Sequence, residues 1–231
     1  MSAIDAQDPA NVAELFQSAF SCHQEGDLSQ ASELYSKILL FNPRHFDALH
    51  LSGLVAAQTG FPEKAVELIG KAIAINDQDA STFKNLGIAF QQLERFGEAI
   101  QSYESALHLN PRDWDALYNI GNAYLEQSFF DQAVNAYEKA IEIAPEHVNS
   151  HLNLGIALHE LGHYGLAVAS FDIAIEMEPS FAEAFFNRGL ANEALGEVDL
   201  ALVDFERALI FDPGHAESKQ RQGLLMQKRA Q

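Results

Sequence analysis

The sequence predicts an all-α fold of stacked helix pairs, and three observations carry that expectation. A skeleton returns every 34 residues, marked by Pro43, Pro111, Pro145, Pro179 and Pro213, with only Asp77 lacking the proline. Inside each copy, apolar residues recur at helical spacing, as in Leu117, Ile120, Gly121 and Tyr124, and again in Ala133, Tyr137, Ala140 and Ile141. Two slots stay small throughout: Ala19, Gly53, Gly87, Gly121, Gly155 and Gly189 on the first helix, and Ala31, Ala65, Ala99, Ala133, Ala167 and Ala201 on the second. Small residues facing each other let two helix axes approach closely, which sets an antiparallel pair.

In order along the chain, Met1–Gln7 has no periodicity and reads as a tail. Asp8-Pro9 reads as a helix start, with Asp as N-cap and Pro in the first turn. Residues 1–11 are therefore set apart from the repeats. Six units follow at 12–45, 46–79, 80–113, 114–147, 148–181 and 182–215, each a helix, a turn and a second helix. The turn's central slot is Gly26, Gly60, Gly162 or Gly196, where a helix end favours a left-handed residue. Glu94 and Ser128 hold that slot in units three and four, so those turns are expected to be strained or differently closed. A large slot holds Tyr35, Ile69, Tyr103, Tyr137, Phe171 and Phe205, expected to fill the gap toward the neighbouring unit. Asn-Pro or Asp-Pro at 42–43, 110–111 and 212–213 is expected to stop one helix and cap the next. Residues 216–231 read as half a repeat. They keep Gly223 and an apolar Met226, but place Lys219 and Gln222 where core residues belong, as a C-terminal solvating helix should.

Composition narrows the function classes. With 33 acidic and 14 basic residues the net charge is −19, which repels phosphate backbones and anionic lipid, so neither nucleic acid nor a membrane surface is an expected partner. Lys219, Arg221, Lys228 and Arg229 cluster at the end, leaving 10 basic against 33 acidic residues in the rest. One cysteine, Cys22, forms no internal disulfide and reads as a small core residue. The beginning shows neither a basic start nor an apolar run, and no stretch approaches membrane-spanning length, so a cytoplasmic location is expected.

The repeated slots resemble the tetratricopeptide repeat (TPR) family: a large residue, Leu-Gly, an aromatic, then Ala, an aromatic, Ala and Pro. Unit three carries nearly all of it in Phe83, Leu86, Gly87, Phe90, Ala99, Tyr103, Ala106 and Pro111, and unit four does so from Leu117 to Pro145. The resemblance covers residues 12–215. Departures fall at Ser18, Cys22, Ile38 and Asp77, and at Arg188 and Asn192, which replace apolar residues. It implies a right-handed superhelical solenoid of six helix-turn-helix repeats plus a C-terminal capping helix, with a concave face lined by the first helices.

Few residues suggest chemistry. His159-Glu160-Leu161-Gly162-His163 spells HExxH, a zinc-hydrolase motif that needs both histidines one turn apart on one continuous helix. The repeat register puts Gly162 in the inter-helix turn, so the helix should end between them and no metal is expected. The nine histidines show no recurrent partner, and every glycine is explained by packing or a turn. No catalytic residue or cofactor is expected.

The first helices hold the informative pattern. Asn85, Asn119, Asn153 and Asn187 recur two residues before the small glycine, although asparagine is a mediocre helix former. Its carboxamide can pair with the peptide group of an extended chain. In the TPR arms of O-linked N-acetylglucosamine transferases, such a ladder holds the substrate backbone, and the resemblance extends that role to this slot. The other reading is local bonding between helices. With Lys84, Ile88, Tyr118, Asn122, Ile156 and Phe186 on the same face, these residues make up the expected peptide-binding groove. Its charges are Asp47, Asp115, Glu126, Glu160, Glu183 and Glu193 against one Lys84, which suits a neutral or basic partner segment better than an acidic one. The expected function is a non-enzymatic protein-interaction scaffold, monomeric because its end is capped. The alternative is a repeat arm or accessory subunit of a glycosyltransferase-type enzyme.

Overall fold

The computed structural model describes residues 9–229. The expected tail and the Asp8 cap lie outside the described residues, and Pro9 opens the first helix. The described residues form thirteen helices and no strand, in two compact units divided between Ala116 and Leu117. Unit 1 contains α1 (Pro9–Gln24), α2 (Leu28–Phe41), α3 (Phe46–Gln58), α4 (Pro62–Ile73), α5 (Ala80–Gln92), α6 (Phe96–Leu109) and the first turn of α7 (Trp114–Glu126). Unit 2 continues with the rest of α7 and with α8 (Phe130–Ile143), α9 (Val148–Glu160), α10 (Tyr164–Met177), α11 (Ala182–Leu195), α12 (Val198–Phe211) and α13 (Ala216–Arg229).

The small slots set how closely each pair packs. A Cβ added at Gly87 would lie 2.5 Å from the Tyr103 ring, and Gly53, Gly121, Gly155 and Gly189 meet Ile69, Tyr137, Phe171 and Phe205 in the same way. The large residue therefore seats first on the glycine of its own unit, sixteen residues back. It still reaches the neighbours, as Phe171 does by sharing a core with Ala184 and Ala191. All five partners and every second-helix alanine are fully buried.

The inter-helix turns are closed one way. Gly26, Gly60, Gly162 and Gly196 have φ between 78° and 83°, and Glu94 and Ser128 adopt the same region at 57° and 60°. Arg95 N–H donates to Phe90 O just as Asp27 N–H donates to Cys22 O, so the expected different closure does not occur. Only the left-handed cost of a side chain remains.

Most linkers between units are Asx turns, the exceptions following Ala144 and Glu178. Asn42, Asn110 and Asp212 each accept a backbone N–H two residues on through Oδ1. The following helix is capped three residues past that Asx, and not by the Asx-Pro pair itself: His45, Asp79, Asp113 or His215 accepts from the N–H three residues further. His147 holds the same slot but makes no side-chain cap bond to a backbone N–H; its ring meets the Ser150 hydroxyl at 2.8 Å, so two histidines, His45 and His215, share the capping role. Where Asp77 replaces proline, α4 ends two residues early, at Ile73.

In α13, Leu225 is the buried apolar residue and Met226 is half exposed, reversing the sequence expectation. Its basic residues reach back along unit 2, Arg221 to Glu193 at 3.5 Å and Arg229 to Asp199 at 2.9 Å. Cys22 is half-buried against the first core. Among the described residues, no helix is long and apolar enough to cross a membrane.

Candidate functional site

In unit 1 the candidate residues Lys84, Asn85 and Ile88 share one side of α5 and are all half-buried. The Asp79 carboxylate starts that helix, accepting from Thr82 N–H at 2.8 Å and from the Ser81 and Thr82 hydroxyls. Burial alone would raise its pKa, but these bonds outweigh it and hold the carboxyl below its ordinary range. Lys84 is not a free cation. Its Nζ lies 3.2 Å from Asp113 and 3.0 Å from Asp115, and these bonds overcome burial to raise its pKa. Two carboxylates against one ammonium leave this patch negative. Asn85 spends Nδ2 on the buried ring of His50, one unit back, at 2.8 Å from Nε2.

In unit 2, Tyr118, Asn119, Asn122, Asn153, Ile156 and Asn187 are half-buried on the first helices. Asn153 Nδ2 donates to Asn122 Oδ1 at 2.9 Å and lies 3.3 Å from the Tyr118 hydroxyl. Asn122 Oδ1 also accepts the Tyr137 hydroxyl at 2.8 Å, which is buried so deeply that its pKa is pushed far up. Asn187 Nδ2 donates to the Glu183 carbonyl of its own helix. Phe186 is 8% exposed, with its ring 4.6 Å from His215, so it lies beneath the face and not on it.

The HExxH residues are separated by the fold. The helix α9 ends at Glu160, Gly162 is left-handed at φ 78°, and His163 occupies the N-cap of α10. His159 faces Glu160 and the Tyr164 ring, so the two histidines cannot share one helical face.

Arg188 and Asn192, which break the apolar pattern, meet a partner that sequence reading missed. The Arg188 guanidinium forks onto Asp204, with Nε 3.1 Å from Oδ2 and an Nη nitrogen 2.6 Å from Oδ1, and its other arm reaches Asp172 at 2.5 Å. Asn192 Nδ2 donates to Asp204 Oδ2 at 2.9 Å. Asp204 is 3% exposed, so this network satisfies a buried charge within unit 2. The signal was present: the Asp204 slot is Leu34, Leu68, Ser102, Ala136 and Ser170 in the other units.

The fold, the repeated slots and the turn geometry define a helical repeat protein, and family models agree. Three models described as tetratricopeptide or TPR repeats match residues 152–216, 114–147 and 92–128. The chain belongs to the TPR family. A search of curated proteins gives no match. Among solved structures, a MamA protein is 27% identical, with TM-score 0.67 over 74% of this chain and 94% of that one. Pseudomonas aeruginosa pilF is 21% identical, with TM-score 0.77 over 92% and 96%. YrrB, described as a TPR protein with an unusual peptide-binding site, is 20% identical, with TM-score 0.71 over 84% and 100%.

Proposed function

We propose that this chain is a non-enzymatic interaction scaffold whose first-helix face binds an extended segment of a partner protein, neutral or basic in charge. The contact residues in unit 1 are Lys84, Asn85 and Ile88, and those in unit 2 are Tyr118, Asn119, Asn122, Asn153, Ile156 and Asn187. Half-buried carboxamides beside apolar side chains suit a strand, whose backbone takes hydrogen bonds while its side chains enter pockets.

The observation that carries the charge preference is Lys84 held by Asp113 and Asp115. The one cation of the face is neutralised, so an acidic segment meets no clamp, while Asp47, Glu126, Glu160 and Glu183 stay exposed. The TPR relatives support a protein-binding role, and YrrB is described as having a peptide-binding site. The test is selection from a displayed random nonapeptide library. Enriched peptides should be basic or neutral, and Asn119→Ala with Asn153→Ala should weaken their binding at least tenfold. Enrichment of acidic peptides, or affinity unchanged by the double variant, would refute the reading.

A further inference from the structure

Three asparagines of the recurring first-helix slot differ in surroundings but agree in one respect. Asn85 and Asn153 direct Nδ2 to the preceding unit, to His50 Nε2 and to Asn122 Oδ1 with the Tyr118 hydroxyl, and Asn187 spends Nδ2 on the Glu183 carbonyl of its own helix. In each, Oδ1 accepts no hydrogen bond among the described residues. The orientation at Asn85 follows from a chain of bonds that starts at a carboxylate. Asp79 can only accept, so the Thr82 hydroxyl donates to it at 3.1 Å. Thr82 Oγ1 then accepts from His50 Nδ1–H at 3.3 Å, which leaves Nε2 a bare lone pair. A bare Nε2 takes a donor, and Asn85 supplies Nδ2 at 2.8 Å.

We propose that His50 is a positioning residue that turns the Asn85 carbonyl outward, so that this face recognises hydrogen-bond donors, the backbone N–H groups and basic side chains of a bound strand, and that protonation of His50 inverts that polarity. A protonated His50 carries a hydrogen on Nε2, so Asn85 must rotate its oxygen inward and present NH2 instead. The charged groups facing the ring are Asp79, in the linker before α5, and Asp47, on its own helix. Both favour protonation but are outweighed by burial, which lowers the imidazole pKa. This inference rests on the peptide-binding reading for its consequence, while the orientation itself is testable without a ligand.

Nitrogen-15 NMR of the full chain at neutral pH should show the Nδ1–H tautomer of His50 and a through-hydrogen-bond coupling from Asn85 Nδ2 to Nε2. The coupling should vanish as the ring titrates below its ordinary pKa. An Nε2–H tautomer at neutral pH would overturn the proposal whatever the chain binds. The second arm uses a fluorescein-labelled nonapeptide alternating lysine and leucine, and its backbone N-methylated form. The unmethylated probe should bind at least tenfold more tightly, and weaken severalfold as His50 protonates. His50→Tyr supplies a hydroxyl that does not titrate in this range, as Tyr118 does for Asn153, and should flatten that pH profile. If the coupling is present but neither probe binds, the peptide-binding reading fails and the His50–Asn85 orientation stands. Equal binding of the two probes, or a pH profile that His50→Tyr leaves unchanged, would overturn donor recognition.

Discussion

The Tyr137 ring lies so close over Gly121 that a Cβ added to the glycine would sit 2.5 Å from its edge. Tyr137 is fully buried and its hydroxyl is tied to Asn122, so the ring cannot withdraw. Gly121→Ala should therefore cost about 2 kcal/mol or more, as overpacked core positions do. Gly70 sits within α4 with nothing within 4 Å of an added Cβ, so Gly70→Ala should instead stabilise by about 0.5–1 kcal/mol. Urea denaturation of both variants checks the pair, and equal effects would contradict the contact.

Glu94 and Ser128 hold left-handed backbone where four other units use glycine. Each should carry a strain of about 1 kcal/mol that glycine relieves. Glu94→Gly and Ser128→Gly should each raise the melting temperature, whereas Glu94→Ala should give no gain. Thermal unfolding followed by circular dichroism decides the matter.

Asp204 is satisfied only as part of its network with Arg188 and Asn192. Asp204→Ala alone leaves a half-buried guanidinium without its fork and should cost about 3 kcal/mol or more. Combining Arg188→Leu, Asp204→Ser and Asn192→Leu restores the residues of Leu154, Ser170 and Leu158 in the preceding unit. That triple variant should recover most of the loss in a denaturant titration.

The pH dependence near neutrality has a defined sign. Burial lowers the His50 pKa, so the unfolded chain takes up this proton first. The contribution is fully present above the ordinary imidazole value of about 6.5 and is lost as pH falls below it. Unfolding free energies at pH 7.5 and 5.5 should differ less in His50→Tyr than in the wild type.

The helices and their pairing were legible because a 34-residue period repeats the same small and large slots, and each slot has a local geometric meaning. The early end of α4 was signalled by the missing proline at Asp77, but its position was not. What escaped was tertiary. The Arg188–Asp204 pair spans two helices, and the Asp204 departure gains meaning only once its neighbour is seen. The histidine caps recur only at His45 and His215, while aspartate caps two of the intervening units and His147 and Phe181 hold the slot without a side-chain cap, which hides it. Of the candidate face, the asparagine slot was legible, while the inward use of Nδ2 at Asn85 and Asn153 depends on partners 35 and 31 residues back. Phe186 looked like a face residue until His215 was found against it.

The central claim is that a partner strand lies along the first helices. The most direct measurement places a photo-crosslinking amino acid at Ile88, at Ile156 and, as a second-helix control, at Leu166, 60% exposed on α10. Each variant is then exposed to a selected basic nonapeptide. Crosslinking at Ile88 and Ile156 but not at Leu166 is the predicted result. Crosslinking at Leu166 alone would place the binding surface on the second helices and contradict the account.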